Sequence, residues 1–213
     1  MMWLRERKRR DEASDRIVGC VLAGGKSSRM GSDKSLLQFD GTPLVSRAVT
    51  TMREVFKDVV VISDKRDEYA FLDVPVLPDI KKECGPLGGI HAAFVHTGAD
   101  SLFVLACDMP FVSSELIRYV VNAGSGAKAA VPKMNGRLQP LCGLYSRRSL
   151  PIIEQSLDSK SYRIQMVLAK LGPTVITIQQ DLPFHASNLL DNLNTPDQIN
   201  QALRSDETCR GAG

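Results

Sequence analysis

The chain has 213 residues, 43% of them hydrophobic and 24% charged, with a formal net charge of +3. That length suits one medium-sized domain with a substantial core, and interspersed acids and bases speak against the basic stripe of a nucleic-acid binder. No run approaches the ~20 apolar residues of a membrane span, and the charged start lacks the apolar stretch of a secretory signal.

The opening MMWLRERKRRDEASDR sets six Arg or Lys among four acids, which reads as a solvated extension over residues 1–15. A single domain is expected over 16–204 and a flexible tail over 205–213. Blocks at 17–23, 58–63, 75–78, 101–107, 129–132, 141–146 and 174–179 read as strands. Several are continuous β-branched runs, the pattern of strands buried on both faces. Between them, 43–56 places Leu44, Val45, Ala48, Val49, Met52 and Phe56 on one helical face. Segments 86–98 and 113–124 are also helical, the latter with a serine cap and a glycine stop. Residues 150–158, 162–172 and 195–204 complete the helical set. This alternation predicts an α/β fold, a three-layer αβα sandwich around a mostly parallel twisted sheet. In such sheets ligands bind beyond the carboxyl ends of the strands, so loops after the first, third and fourth strands should converge on one cleft.

Those loops carry the chemistry. After the first strand comes LAGGKSSRMGSDK, in which Gly24 and Gly25 free backbone amides to face an anion while Arg29 and Lys34 add charge. The spacing is neither a Walker A loop, since Cys20 stands where its first glycine belongs, nor a dinucleotide fingerprint. After 101–107, Asp108 in LACDMPF is a lone carboxylate suited to Mg²⁺ shared with phosphate oxygens. CGPLGG opens a helix with Gly85, Pro86 and Leu87, followed by Gly88 and Gly89, a loop able to admit a flat base. Gln139 and Pro140, and Asn192 and Asn194, offer neutral groups for a heteroaromatic second substrate. His91 reads as a packed helical residue, and neither His96 nor His185 has an evident partner. The five cysteines, at 20, 84, 107, 142 and 209, form no CxxC and are expected to be free thiols in a reducing, cytoplasmic setting.

Taken together, LAGGKSSRMGSDK, GPLGG and CDMP in this order resemble the molybdenum cofactor guanylyltransferases, the MobA family of nucleotidyltransferases. The resemblance covers about residues 16–204. It implies a Rossmann-like nucleotidyltransferase fold, GTP and Mo-molybdopterin as substrates, Mg²⁺ as cofactor and pyrophosphate as leaving product. By motif it assigns Leu22, Ala23 and Gly24 to the nucleotide, Lys34 to the phosphates, Asp108 to the metal and Asp79 to a further nucleotide contact. Molybdoenzymes or other cofactor-biosynthesis proteins are the implied protein partners; nucleic acid and membrane are not. The chain departs from the family at Ile62, where an asparagine is often found; Ser63 or Asp64 could substitute. Cytidylyltransferases usually read LAAG at the first motif, so the resemblance favours guanine. A molybdopterin cytidylyltransferase or another NTP-dependent nucleotidyltransferase, and a non-catalytic nucleotide-binding adaptor, remain the alternative readings.

Overall fold

The computed structural model describes residues 16–24 and 34–210. The expected extension at 1–15, and the candidate residues Gly25 and Arg29, lie outside the described residues. Strand β1 (Ile17–Leu22) occupies the middle of an eight-stranded sheet. Parallel partners β4 (Val59–Ile62) and β6 (Ser101–Ala106) flank it, and β5 (Val76–Leu77) extends the β4 side. Beyond β6 the order continues through β9 (Cys142–Ser146), β7 (Ala129–Met134) and β10 (Thr174–Thr177). β9 and the short β8 (Arg137–Leu138) run against the rest, so the sheet is mixed but mostly parallel, as expected.

Two short strands absent from the sequence reading, β2 (Gln38–Phe39) and β3 (Thr42–Pro43), form a separate hairpin. Asp40 and Gly41 turn it with positive φ of 52° and 70°. A two-residue hairpin turn needs such left-handed backbone. β8 arises similarly at Asn135 and Gly136.

Period-two alternation divides the core. On β1, Val18, Cys20 and Leu22 face one layer while Val21 faces the other; on β6, Leu102 and Val104 oppose Phe103 and Leu105. Helix α1 (Leu44–Arg53) and α3 (Ser114–Ala123) cover the Val21 face. Helices α2 (Gly85–Thr97), α4 (Leu150–Asp158) and α5 (Ile164–Leu171) cover the Cys20 face. Every residue of the predicted α1 face is buried, although the helix stops at Arg53; Phe56 lies past its end, stacked on Phe103 at 5.7 Å. The final helix, α6 (Pro196–Arg210), continues beyond Arg204, so the expected tail from 205 is helical almost to the end. Nothing in its SDETCR stretch breaks a helix. Among the described residues no helix is long and apolar enough to cross a membrane.

The register matters most for function. Leu22 pairs with Ile62 and with Ala106, and Ile62 pairs with Leu77, so four parallel strands end in one row. Two residues past that row stand Gly24, Asp64, Asp79 and Asp108. β1 connects outward through α1 on one face, and the chain returns through α2 on the other. The β1–β6 junction is therefore the point where the winding reverses, the place at which open α/β sheets bind ligands beyond the strand ends.

Helix α3 begins as its sequence demands, Ser113 Oγ accepting from the Leu116 amide at 3.3 Å. It does not stop for the usual reason. Gly124 has an ordinary negative φ, and an added Cβ would lie 2.4 Å from Ala130 Cβ. The glycine lets α3 approach β7. Gly124→Ala should therefore cost about 1–3 kcal/mol through overpacking, read from urea unfolding midpoints at unchanged slope.

Candidate active site

Lys34 opens a 3-10 turn (Lys34–Leu36), and its Nζ donates to Asn194 Oδ1 at 2.9 Å. Asp108, two residues past β6, receives Asn192 Nδ2 on Oδ1 at 3.0 Å. Both asparagines come from one irregular segment, and the residue between them explains how they are aimed. Leu193 is buried among Phe39, Leu44 and Ile199, and its amide donates to the Asp108 carbonyl at 2.8 Å. Anchoring Leu193 inward turns Asn192 and Asn194 outward, onto the acid and the base. The sequence placed this pair against a second substrate; in the structure Asn192 is bonded to Asp108 and Asn194 to Lys34. Gln139 ties in from the other side, donating from Nε2 to the Leu190 carbonyl at 3.2 Å. Pro140 is buried, with its carbonyl receiving the Tyr145 hydroxyl.

Burial raises the Asp108 carboxyl above its ordinary pKa, against the lowering influence of Asn192 and Lys34. A half-buried carboxylate short of compensating charge suits a cation. Among the described residues no group of three or more His, Cys, Asp or Glu could hold a metal by itself. Magnesium needs no such cage, since it takes one or two carboxylates and completes its shell with phosphate oxygens and water. The donor set therefore fits a divalent ion that arrives with a polyphosphate, held on the protein side by Asp108.

At the other end of the row, Asp79 Oδ1 is buried and has no hydrogen-bond partner among the described residues. Burial, then repulsion from Asp64, raises its pKa. Asp64 Oδ1 accepts from the Asp79 amide at 3.2 Å and is paired with Lys82 Nζ. Of the two residues that could substitute for the departure at Ile62, Asp64 is the one bonded to the Asp79 loop, while Ser63 is buried with its hydroxyl accepting from the Lys65 amide. The CGPLGG motif lies beneath Asp79. A Cβ on Gly88 would meet the Lys81 carbonyl at 2.9 Å, and one on Gly89 would meet Leu22 Cδ2 at 2.8 Å. Gly89 thus serves helix-on-strand packing, and Gly88 the close approach of the loop that precedes α2. Asp79 Oδ1 would lie 3.9 and 3.8 Å from those Cβ positions, so the same close approach seats α2 under the acid. Gly85, at φ 60°, and Pro86 are exposed, whereas the Leu87 side chain is 1% exposed and belongs to the core.

Leu22 and Ala23 are likewise buried, and their backbone groups are engaged. The Leu22 carbonyl accepts from Cys107, the Ala23 amide donates to Ile62, and the Ala23 carbonyl accepts from Tyr69 Oη. They form the floor, and Gly24 is the first exposed residue above it. His91 is buried and held neutral by burial, with Nε2 3.7 Å from Glu154 Oε1. His96, expected to lack a partner, has Nε2 2.9 Å from the Pro78 carbonyl and so braces the Asp79 loop. Four described cysteines are free and buried. Burial pushes the Cys142 thiol up to about 12 and Cys20 in the same direction, which keeps both protonated and inert.

The sequence reading did not single out Tyr69 or Lys82. Tyr69 lies in the charged run DKRDEYAFLD, where only its i, i+3 spacing with Leu72 hints at a buried turn.

The MobA-like NTP transferase domain matches residues 19–193. A probable molybdenum cofactor guanylyltransferase of Clostridium perfringens is 31% identical, over 88% of this chain and 96% of that protein. The crystal structure of a putative protein from Aquifex aeolicus is similar at 32% identity and a TM-score of 0.73, covering 86% of this chain and 96% of its own. At 24% identity, the molybdopterin-guanine dinucleotide biosynthesis protein A of Archaeoglobus fulgidus shares the fold with a TM-score of 0.75, over 90% and 99% of the two chains.

The raised Asp108 pKa has a thermodynamic consequence. Between the ordinary and the raised value the folded protein keeps a proton that the unfolded chain has released, so stability falls as pH rises through that window. Asp108→Asn should therefore raise the melting temperature at about pH 7.5, and the gain should vanish below the ordinary carboxylate value near 4. A variant less stable than the parent at neutral pH contradicts this electrostatic reading.

Proposed function

The chain belongs to the MobA-like NTP transferase family, and from that premise we propose that it transfers GMP from GTP to the terminal phosphate of Mo-molybdopterin, releasing pyrophosphate. The carrying observation is the juxtaposition of Lys34 and Asp108, joined through Asn194 and Asn192 at the strand ends.

The order of the strands supports an order of subsites. From β5 to β6 is three strand spacings, roughly 14 Å, a span suited to a nucleoside with its phosphates. Asp79 stands at the base end. Guanine offers N1–H and N2–H side by side, a donor pair that a carboxylate can accept together, whereas cytosine offers only its N4 amino group. The half-buried Asp79 carboxylate at that end is the feature that favours guanine. Gly24 borders the phosphates. Asp108 would hold Mg²⁺, which supplies neutralising charge to the phosphate oxygens. Gln139 and the 188–194 segment adjoin Asp108 on the β9–β7 side, where the second substrate would enter.

The chemistry then needs little more from the chain. An oxygen of the incoming phosphate monoester bonds to the α-phosphorus of GTP as the α–β bridging oxygen departs with pyrophosphate. Two unit charges about 4 Å apart repel by about 4 kcal/mol at an effective dielectric near 20. Lys34 offsets part of that charge, and Asn194 holds its ammonium in place. The attacking phosphate is already ionised near neutral pH, so no general base is required. The neutral, packed His91 agrees with that economy.

Lys34→Ala should lower kcat by about 10²–10³, the usual scale for positioned charge at developing oxyanions. Asp79→Ala should lower kcat/KM for GTP by about 10- to 100-fold while leaving CTP nearly unchanged, the range expected for a lost bidentate base contact. Pyrophosphate release with molybdopterin and each nucleoside triphosphate measures both. Equal losses for GTP and CTP in Asp79→Ala would remove it from base reading.

A further inference from the structure

We propose that Tyr69 is a positioning residue for Lys34, acting through a two-bond hydroxyl relay that fixes the 3-10 turn to the end of β1. Tyr69 is fully buried. It lies on a short 3-10 helix (Asp67–Leu72) that follows β4, in the same core layer as α1. Its hydroxyl donates to the Ala23 carbonyl at 3.2 Å. The same hydroxyl is hydrogen-bonded to Ser35 Oγ. A phenol has one proton, and here Ala23 receives it, so Ser35 is the donor in the second bond. The relay runs from Ser35 through Tyr69 to Ala23.

Those two residues stand at consequential places. Ala23 immediately follows β1 and precedes exposed Gly24; Ser35 follows Lys34. Ala23 and Ser35 are 4% and 2% exposed, so both contacts form out of reach of competing water. One hydroxyl thus sets the separation between the strand end and the residue that presents Lys34. The ammonium in turn reaches Asn194, beside the segment that holds Asp108. Hydrophobic packing alone would be served equally well by phenylalanine. A buried phenol that links the end of β1 to the residue following Lys34 has a geometric task as well.

The inference rests on the nucleotidyl-transfer reading, and the test separates the two. Pyrophosphate release is measured for the parent, Tyr69→Phe, Ser35→Ala, Lys34→Ala and the Tyr69→Phe/Lys34→Ala double variant, with whichever nucleoside triphosphate the parent turns over. A parent that releases pyrophosphate from none, with molybdopterin supplied, refutes the functional reading. With an active parent, Tyr69→Phe should lower kcat about 10-fold and shift the nucleotide KM less than about threefold, as loss of the hydrogen bonds to Ala23 and Ser35 implies. Ser35→Ala should lose about threefold and carries the test if Tyr69→Phe does not fold. On top of Lys34→Ala, Tyr69→Phe should cost less than about twofold, because the residue it positions is gone. Unchanged kcat in folded Tyr69→Phe, or in Ser35→Ala where it stands alone, overturns the proposal. So does a full 10-fold loss that persists in the Lys34→Ala background, since a merely structural role would act regardless of Lys34.

Discussion

A cation and an anion from distant parts of the chain, Lys34 and Asp108, are brought to one edge of a sheet without touching each other. Two asparagines stand between them, aimed by the burial of Leu193. Direct pairing would satisfy both charges and leave nothing for a ligand. Amide side chains orient each group while leaving its charge largely uncompensated, and burial then makes the Asp108 carboxylate costly to keep ionised. That unspent electrostatic free energy is what a metal–polyphosphate complex can recover on binding. The fold maintains the tension by flush registration of four parallel strands, which gives each loop the same starting line.

The same logic recurs at the far end of the row. Asp79 is held by its own backbone to Asp64, is braced through Pro78 by His96, and keeps one oxygen without a partner. Close packing of Gly89 on Leu22 is what lets α2 sit beneath that acid. Packing and recognition are therefore linked there. Enlarging Gly89 would displace the helix under the base subsite as well as strain the core.

Much of the fold was legible because its signals are periodic. Continuous β-branched runs located the buried strands, and i, i+3, i+4 spacing located α1 down to the individual buried residues. The strand-end rule then led from topology to Gly24 and Asp108 before any geometry was known. What stayed hidden depends on tertiary contacts that leave no periodic trace. Asn192 and Asn194 were visible as polar residues, but their partners lie 84 and 160 positions away, so a second-substrate role was the only one local reasoning could offer. Leu22, Ala23 and Leu87 matched nucleotide motifs, yet their side chains are buried; motif matching identifies a backbone path and not which atoms face the ligand. Tyr69 was missed because a charged stretch around it resembles a loop, and Gly124 read as a helix stop when it serves close packing.

The central claim is that one nucleoside triphosphate spans the row from Asp79 to Asp108, with its metal on the latter. A crystal structure with a non-hydrolysable GTP analogue and Mg²⁺ tests it most directly. The guanine edge should lie against Asp79, the phosphates beside Gly24 and Lys34, and the ion on Asp108. A nucleotide bound elsewhere, or an ion held by other groups with Asp108 still confined to Asn192, would contradict the account.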